Sequence, residues 1–276
     1  MTIGRFEAVL LAGDRRADDP LVLASGQGCK ALLPIAGKPM ILHVLDALGN
    51  SPEIARVHLS GPPLTALQSN AELRMQIDRG VVSWRASGPT PSTSASDVLR
   101  ELDPTRPILL TTADHPLLRP EYIAHFCREA LASGADVVVG LAPYPRVREI
   151  FPTMRKTVLR FADGDYCGCN LFSFVTPRGR EIAELWKQVE GARKTPWRVL
   201  QLLGWIAVLR YRLGWLTLDR AMALLSRRTG MKVSAIRMPF GQAGVDVDSP
   251  EDHAQVEAVM LRERPTVSSE PRDFST

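Results

Sequence analysis

The 276-residue chain carries 34 Lys+Arg against 30 Asp+Glu, and 45% of its residues are hydrophobic. That composition excludes a wholly disordered chain, and a net charge of +4 is too small to argue for nucleic acid as a partner. Four scattered cysteines, at 29, 127, 167 and 169, are too few for a disulfide framework and point to a reducing compartment.

The elements follow in chain order. Residues 7–13 form a short apolar run ending in Gly13, read as a buried strand and a loop over 14–30. Pro39 opens a helix over 39–48, with Met40, Ile41, Val44, Leu45 and Leu48 at helical spacing. Residues 56–61 read as a second strand, 64–78 as a weaker helix and 81–84 as a third strand. A Ser/Pro/Thr-rich turn over 87–96 leads into a helix ending near Leu102. The β-rich run 107–113 is a central strand that stops at Asp114-His115-Pro116. Residues 120–132 are helical and 135–142 form another buried strand. Strands alternating with helices predict a mainly parallel α/β sheet covered on both faces. Two further strands, 157–161 and 170–175, flank a turn at 162–165, and 177–190 is helical.

Beyond that point the composition shifts. Residues 193–232 hold nine Lys/Arg and one acid, Asp219, together with three of the five tryptophans. They read as an inserted pair of helices, about 196–212 and 217–229, within one domain spanning 1–264. Three roles are open for the insertion: helices packed on the core, a lid over a phosphate, or a peripheral membrane contact through Trp and Arg. Residues 232–238 return to a strand, and 245–248 form another short strand or a strand end. Ser249, Pro250 and Asp252 carry the N-cap, N1 and N3 signals of a last helix, and 265–276 read as a disordered tail. The longest apolar stretch, 199–209, falls short of the roughly 20 residues that span a bilayer, and no targeting segment is visible. The expectation is a cytoplasmic protein.

Polar groups cluster where predicted strands end, at Gly13, Lys30, Asp114 and the Asp246/Asp248 pair. In open α/β sheets that edge binds ligands. Taken together, Leu11-Ala12-Gly13, the run Lys30 to Met40 with Pro34, Gly37 and Lys38, Thr112 to Leu118 around Asp114, and Asp246 to Asp252 resemble the MobA-like nucleotidyltransferases. The resemblance covers roughly 7–262 apart from the basic insertion, and Lys30–Met40 is its most specific part.

The resemblance implies a Rossmann-like fold of the GT-A type. It implies transfer of a nucleoside monophosphate from an NTP to a phosphorylated acceptor, with Mg2+ and release of pyrophosphate. CTP is the slight preference by analogy, and nucleic acid is not an expected partner. By position, Leu11, Ala12, Gly13, Asp14, Arg15 and Ser94 would contact the nucleotide. Lys30 would hold the triphosphate, Asp114 would bind the metal, and Asp246 would be a second ligand. Asp248 shares a face with Asp246 and stays open as an alternative. Gly168 and Asn170 would lie on the acceptor side. Relatives carry Gly-Gly-x-Gly-x-Arg after the first strand, whereas this chain has Gly13-Asp14-Arg15-Arg16, where Asp14 would repel a triphosphate unless it points away, binds through metal or is offset by Arg15 or Arg16.

Two rival readings remain. A glycosyltransferase of the same fold would prefer a mid-chain Asp-x-Asp where this chain has Asp114-His115-Pro116. A catalytically degenerate binding module is suggested by Gly13-Asp14-Arg15. Cys167 and Cys169 lack a second ligand pair and read as strand residues rather than a zinc site.

Overall fold

A computed structural model of the chain describes residues 4–14, 21–22, 29–67, 70–190 and 204–263. The described strands build one eight-stranded sheet whose spatial order is Val233–Arg237, Val137–Pro143, Gly164–Phe174, Ile108–Thr112, Phe6–Leu11, Ile54–Ser60 and Val82–Arg85, with Leu159–Phe161 attached to Gly164–Phe174. In chain order these are β1 (Phe6–Leu11), β4 (Ile54–Ser60), β5 (Val82–Arg85), β6 (Ile108–Thr112), β7 (Val137–Pro143), β8 (Leu159–Phe161), β9 (Gly164–Phe174) and β10 (Val233–Arg237). A two-residue ribbon, β2 (Pro34–Ile35) with β3 (Lys38–Pro39), stands apart.

Residue alternation explains the layering. Every residue of β1 is buried: Phe6, Ala8 and Leu10 face one apolar layer, and Val9 and Leu11 face the other. A strand buried on both faces is an uninterrupted apolar run, as Ala8–Leu11 is. Helices Met40–Gly49 and Pro120–Ala132 cover the first face, and Pro91–Glu101 and Ile182–Glu190 the second. The β1–β4, β1–β6, β4–β5 and β7–β10 pairs are parallel. Only β9 reverses direction within the main order, running antiparallel between β6 and β7.

Several expectations change. Pro39 is the N-cap of its helix rather than its first turn. The expected helix over 64–78 is two pieces, Leu64–Leu67 and Ala71–Asp78, the second capped by Asn70 accepting from Leu73 N–H at 2.9 Å. The Ser/Thr stretch is mostly helix: Thr90 caps Pro91–Glu101 through Thr93 N–H, with Pro91 where its missing donor costs nothing. A helix at Tyr144–Ile150 was not anticipated. Residues 245–248 are not a strand: Val245 N–H closes back on Gln242 C=O at 3.2 Å, and a single backbone bond, Val247 N–H to Asp114 C=O at 2.9 Å, ties the segment to the end of β6. Of the insertion, Trp205–Arg212 and Leu218–Thr229 are helical; the expected helix start at 196 and the tail at 265–276 lie outside the described residues. The last helix, Pro250–Glu263, begins as its cap signal predicts, with Ser249 Oγ accepting from Asp252 N–H at 3.1 Å. No described helix is long and apolar enough to cross a membrane.

Candidate active site

The carboxyl ends of β1, β4 and β6 open on one cleft. Beyond β1, Ala12 N–H donates to Ser60 C=O at 2.8 Å and Ala113 N–H to Leu11 C=O at 2.9 Å, so the three strand ends stay in register. The turn after β1 is crowded by design of its backbone. Gly61, at φ +79°, lies so close that a Cβ there would sit 2.9 Å from Gly13 N, and a Cβ on Gly13 would sit 2.7 Å from that of Ser87. Leu11 to Asp14, Lys30, Pro91 and Thr112 to Asp114 line the resulting cleft.

Asp14 lines the cleft, and its Oδ1 accepts from the Lys30 backbone N–H at 3.0 Å, opening the 3-10 turn Lys30–Leu32. Arg15 lies outside the described residues. Ser94 is buried, and its hydroxyl accepts from Gly88 N–H at 2.9 Å, tying helix Pro91–Glu101 to the loop before it.

Lys30 reaches across to the carboxylates. Its Nζ lies 3.2 Å from Asp114 Oδ2 and 2.6 Å from Asp248 Oδ1. Burial alone would lower its pKa, but Asp114 and Asp248 outweigh that and raise it, so the group stays an ammonium. Burial likewise opposes the charged form of Asp114, yet Lys30, His115 and the Thr112 hydroxyl, 2.5 Å from Oδ1, hold its carboxyl at about 2.

Asp246 and Asp248 alternate with Val245 and Val247, whose side chains are fully buried, so both acids face the cleft. Carboxylate oxygens of Asp114, Asp246 and Asp248 lie within 4.8 Å of one another. Lys156 pairs with Asp246, so three carboxylates face two ammonium groups and one negative charge is left over. A hard, all-oxygen donor set with excess negative charge fits Mg2+.

Asn170 joins this cluster through sheet register. Leu110 pairs with Phe172, so the antiparallel β9 carries Asn170 back alongside the end of β6. A register shift against β7 falls at the same place, and Asn170 adopts φ +48°. Its Nδ2 donates to Asp246 Oδ2 at 3.3 Å and lies 2.8 Å from His115 Nε2. His115 is buried, and burial lowers its pKa to about 4, so the ring is neutral and Nε2 accepts. Gly168 lines the same side of the cleft with Arg155, Lys156 and Thr157. These three were not anticipated. The one signal for them was two adjacent cations just before a short strand.

A family profile described as MobA-like NTP transferase domain matches residues 8–203. Over 132 residues, 45% of the chain, the sequence is 30% identical to the bifunctional protein GlmU of Rhodospirillum rubrum, a match spanning 28% of that protein's own length. A hypothetical transferase from Thermus thermophilus superposes with a TM-score of 0.73 at 28% identity, covering 90% of this chain and 99% of the other. A CMP:2-keto-3-deoxy-manno-octonic acid synthetase, solved with CTP, shares the fold with a TM-score of 0.59 at 14% identity, covering 94% and 100% of the two chains. The 4-diphosphocytidyl-2C-methyl-D-erythritol synthase of Anaerococcus prevotii does so at 0.55 and 12%, covering 94% and 97%. With the profile covering most of its length and the carboxylates and lysine gathered at the strand ends, the chain belongs to the MobA-like NTP transferase domain family.

Proposed function

We propose that the chain transfers a nucleoside monophosphate, with CTP the preferred donor, to a phosphorylated small-molecule acceptor and releases pyrophosphate. The observation that carries this reading is the meeting of Lys30 with Asp114 and Asp248, 84 and 218 residues away, at the mouth of the strand-end cleft. An oxygen of the acceptor phosphate attacks the α-phosphorus of the NTP. The bond from that phosphorus to the oxygen bridging it to the β-phosphorus breaks, and pyrophosphate carries the charge away. Such a displacement is accelerated by positioning and by neutralising oxygens that gain charge. Lys30, held cationic, faces the β- and γ-phosphates and stabilises the departing pyrophosphate. The backbone from Leu11 to Gly13 packs along the nucleotide, and Asp14 keeps the turn closed by holding Lys30 N–H. On the other side Lys156 and Arg155 offer positive charge to the acceptor phosphate, and Asn170 orients Asp246.

Asp114, Asp246 and Asp248 would hold Mg2+, which when bound supplies charge neutralisation and alignment of phosphate oxygens. The preference for CTP rests on two fold neighbours whose names carry cytidine nucleotides.

Pyrophosphate release from each of the four common NTPs, against a panel of sugar and polyol phosphates, tests the reading. Turnover is expected with at least one pair and is lost in Asp114→Asn, which keeps the far-ultraviolet circular dichroism of the wild type. Absence of pyrophosphate with every pair, or full turnover in Asp114→Asn, overturns it. Transfer of a sugar from an NDP-sugar instead would assign the cleft to a glycosyltransferase.

A further inference from the structure

Helix Trp205–Arg212 and the turn after it are an unusual surface. Of the ten large apolar side chains exposed among the described residues, five lie between 205 and 215: Trp205, Ile206, Leu209, Leu213 and Trp215. Trp205 is 75% exposed and Trp215 65%. At about 100° per residue, Trp205, Ile206, Leu209 and Leu213 fall within an arc of roughly 100°. Ala207 and Tyr211 lie opposite that arc and attach the helix to the body. Ala207 is buried, the Tyr211 hydroxyl accepts from Arg160 N–H at 3.0 Å, and its ring meets Phe161 edge-on at 5.7 Å. Arg210 and Arg212 project on the two flanks of the arc, exposed, and neither forms an ion pair among the described residues. The turn is anchored too. Trp215 N–H donates to Arg210 C=O at 2.8 Å, and the next residue, Leu216, is buried and accepts from Ala162 N–H at 2.8 Å. Trp215 is therefore held outward by its own backbone.

We propose that this face docks on an anionic lipid surface, with the two tryptophans and the leucines in the headgroup boundary and Arg210 and Arg212 on lipid phosphates. An apolar arc opposite the attachment side, edged by cations, is the arrangement that lies in a membrane interface. The charge favours lipid over a second copy. A two-fold contact through this arc would bring the arginine flanks of both copies together, whereas an anionic surface neutralises them. The inference stands on this surface alone and does not depend on the reaction proposed for the cleft.

The test is co-sedimentation of the full chain with phosphatidylcholine vesicles, with and without phosphatidylglycerol. Binding is expected to the anionic vesicles, weaker in high salt, with a blue shift of tryptophan emission. Arg210→Gln with Arg212→Gln should lower the partition coefficient roughly fivefold per arginine removed. Trp205→Ser with Leu209→Ser and Trp215→Ser should abolish binding without moving the thermal midpoint, since these side chains are exposed. Three results overturn the proposal: no binding to anionic vesicles, equal binding of wild type and the triple variant, or a wild-type dimer in sedimentation velocity that the triple variant converts to monomer.

Discussion

Replacing Lys30 by Met removes the ammonium that two of the three clustered carboxylates share. At the 4.8 Å limit of their separation, each pair of unit charges repels by about 3.5 kcal/mol at an effective dielectric near 20. In the wild type Lys30 offsets this from 3.2 Å and 2.6 Å, and Lys156 covers Asp246. The loss is smaller than the gross figure. Asp248 is 65% exposed, so water and salt screen its share, and methionine keeps the apolar packing of the lysine stem. A net destabilisation of about 2 kcal/mol remains, equivalent to a fall of about 4–8 °C in the thermal midpoint for a chain of this size. Magnesium works against that loss. A ligand at a hundred times its dissociation constant stabilises by about 2.7 kcal/mol, and in the variant the cation meets a cluster that no lysine shares. Differential scanning calorimetry in chelator and across a magnesium titration reads both effects. The variant should start lower and rise further than the wild type, while remaining unable to release pyrophosphate. A variant as stable as the wild type in chelator, with no larger response to magnesium, would refute the charge accounting.

Gly61→Ala should lower stability by roughly 2 kcal/mol and weaken NTP binding, because its φ of +79° suits glycine and the new Cβ would press on Gly13 N at 2.9 Å; calorimetric titration with NTP and a thermal melt check both. Asn170→Ala should lose stability and turnover together, whereas Asn170→Gly, which accepts φ +48°, should recover about 1 kcal/mol of stability but no turnover, since neither variant has the amide that reaches Asp246. Burial lowers the pKa of His58 against the opposing pull of Glu7, so the fold favours the neutral ring. Its contribution is then fully present above about pH 6.5, the unfolded value, and is lost as the pH falls toward the folded one. The thermal midpoint should decline on acidification below pH 6.5, less steeply in His58→Gln, and an identical slope in the two proteins would contradict the sign.

Where a local pattern and the tertiary fold demand the same thing, the sequence was readable. Strand β1 and helix Pro120–Ala132 are of that kind: an apolar run buried on both faces, and a helix whose apolar positions repeat behind a proline in its first turn. The stretch from Thr90 misled because serines, threonines and prolines mark turns and helix starts alike, and only Thr90 accepting from Thr93 N–H decides between them. Residues 245–248 misled for the opposite reason. Val245 and Val247 alternate with acids as in a half-buried strand, yet the neighbouring chain offers a single backbone bond at Val247 rather than a ladder. Lys30 and Asp114 stood out because each follows a strand inside a specific motif. Lys156 did not, since its partner Asp246 is 90 residues away and nothing around it repeats a known pattern.

The two lysines of the cleft are nevertheless different instruments, and the difference lies in burial weighed against neighbours. Both lose hydration. Around Lys30 the attraction of Asp114 and Asp248 exceeds that loss, and its pKa rises. Around Lys156 burial prevails over Asp248 and Asp252, and its pKa falls. The first is a permanent cation, suited to a donor whose phosphates are charged throughout the reaction. The second holds its proton more weakly, so an anion arriving beside it strengthens its charge and is strengthened in return. Such reciprocity suits the acceptor of the transfer proposed above, and Arg155, Lys156 and Asn170 line the cleft on the side of Asp246, away from the β1 turn. For the transfer proposed above, a single cluster of acids shared by one fixed and one conditional ammonium would divide the cleft into a donor half and an acceptor half, with the carboxylates at their boundary.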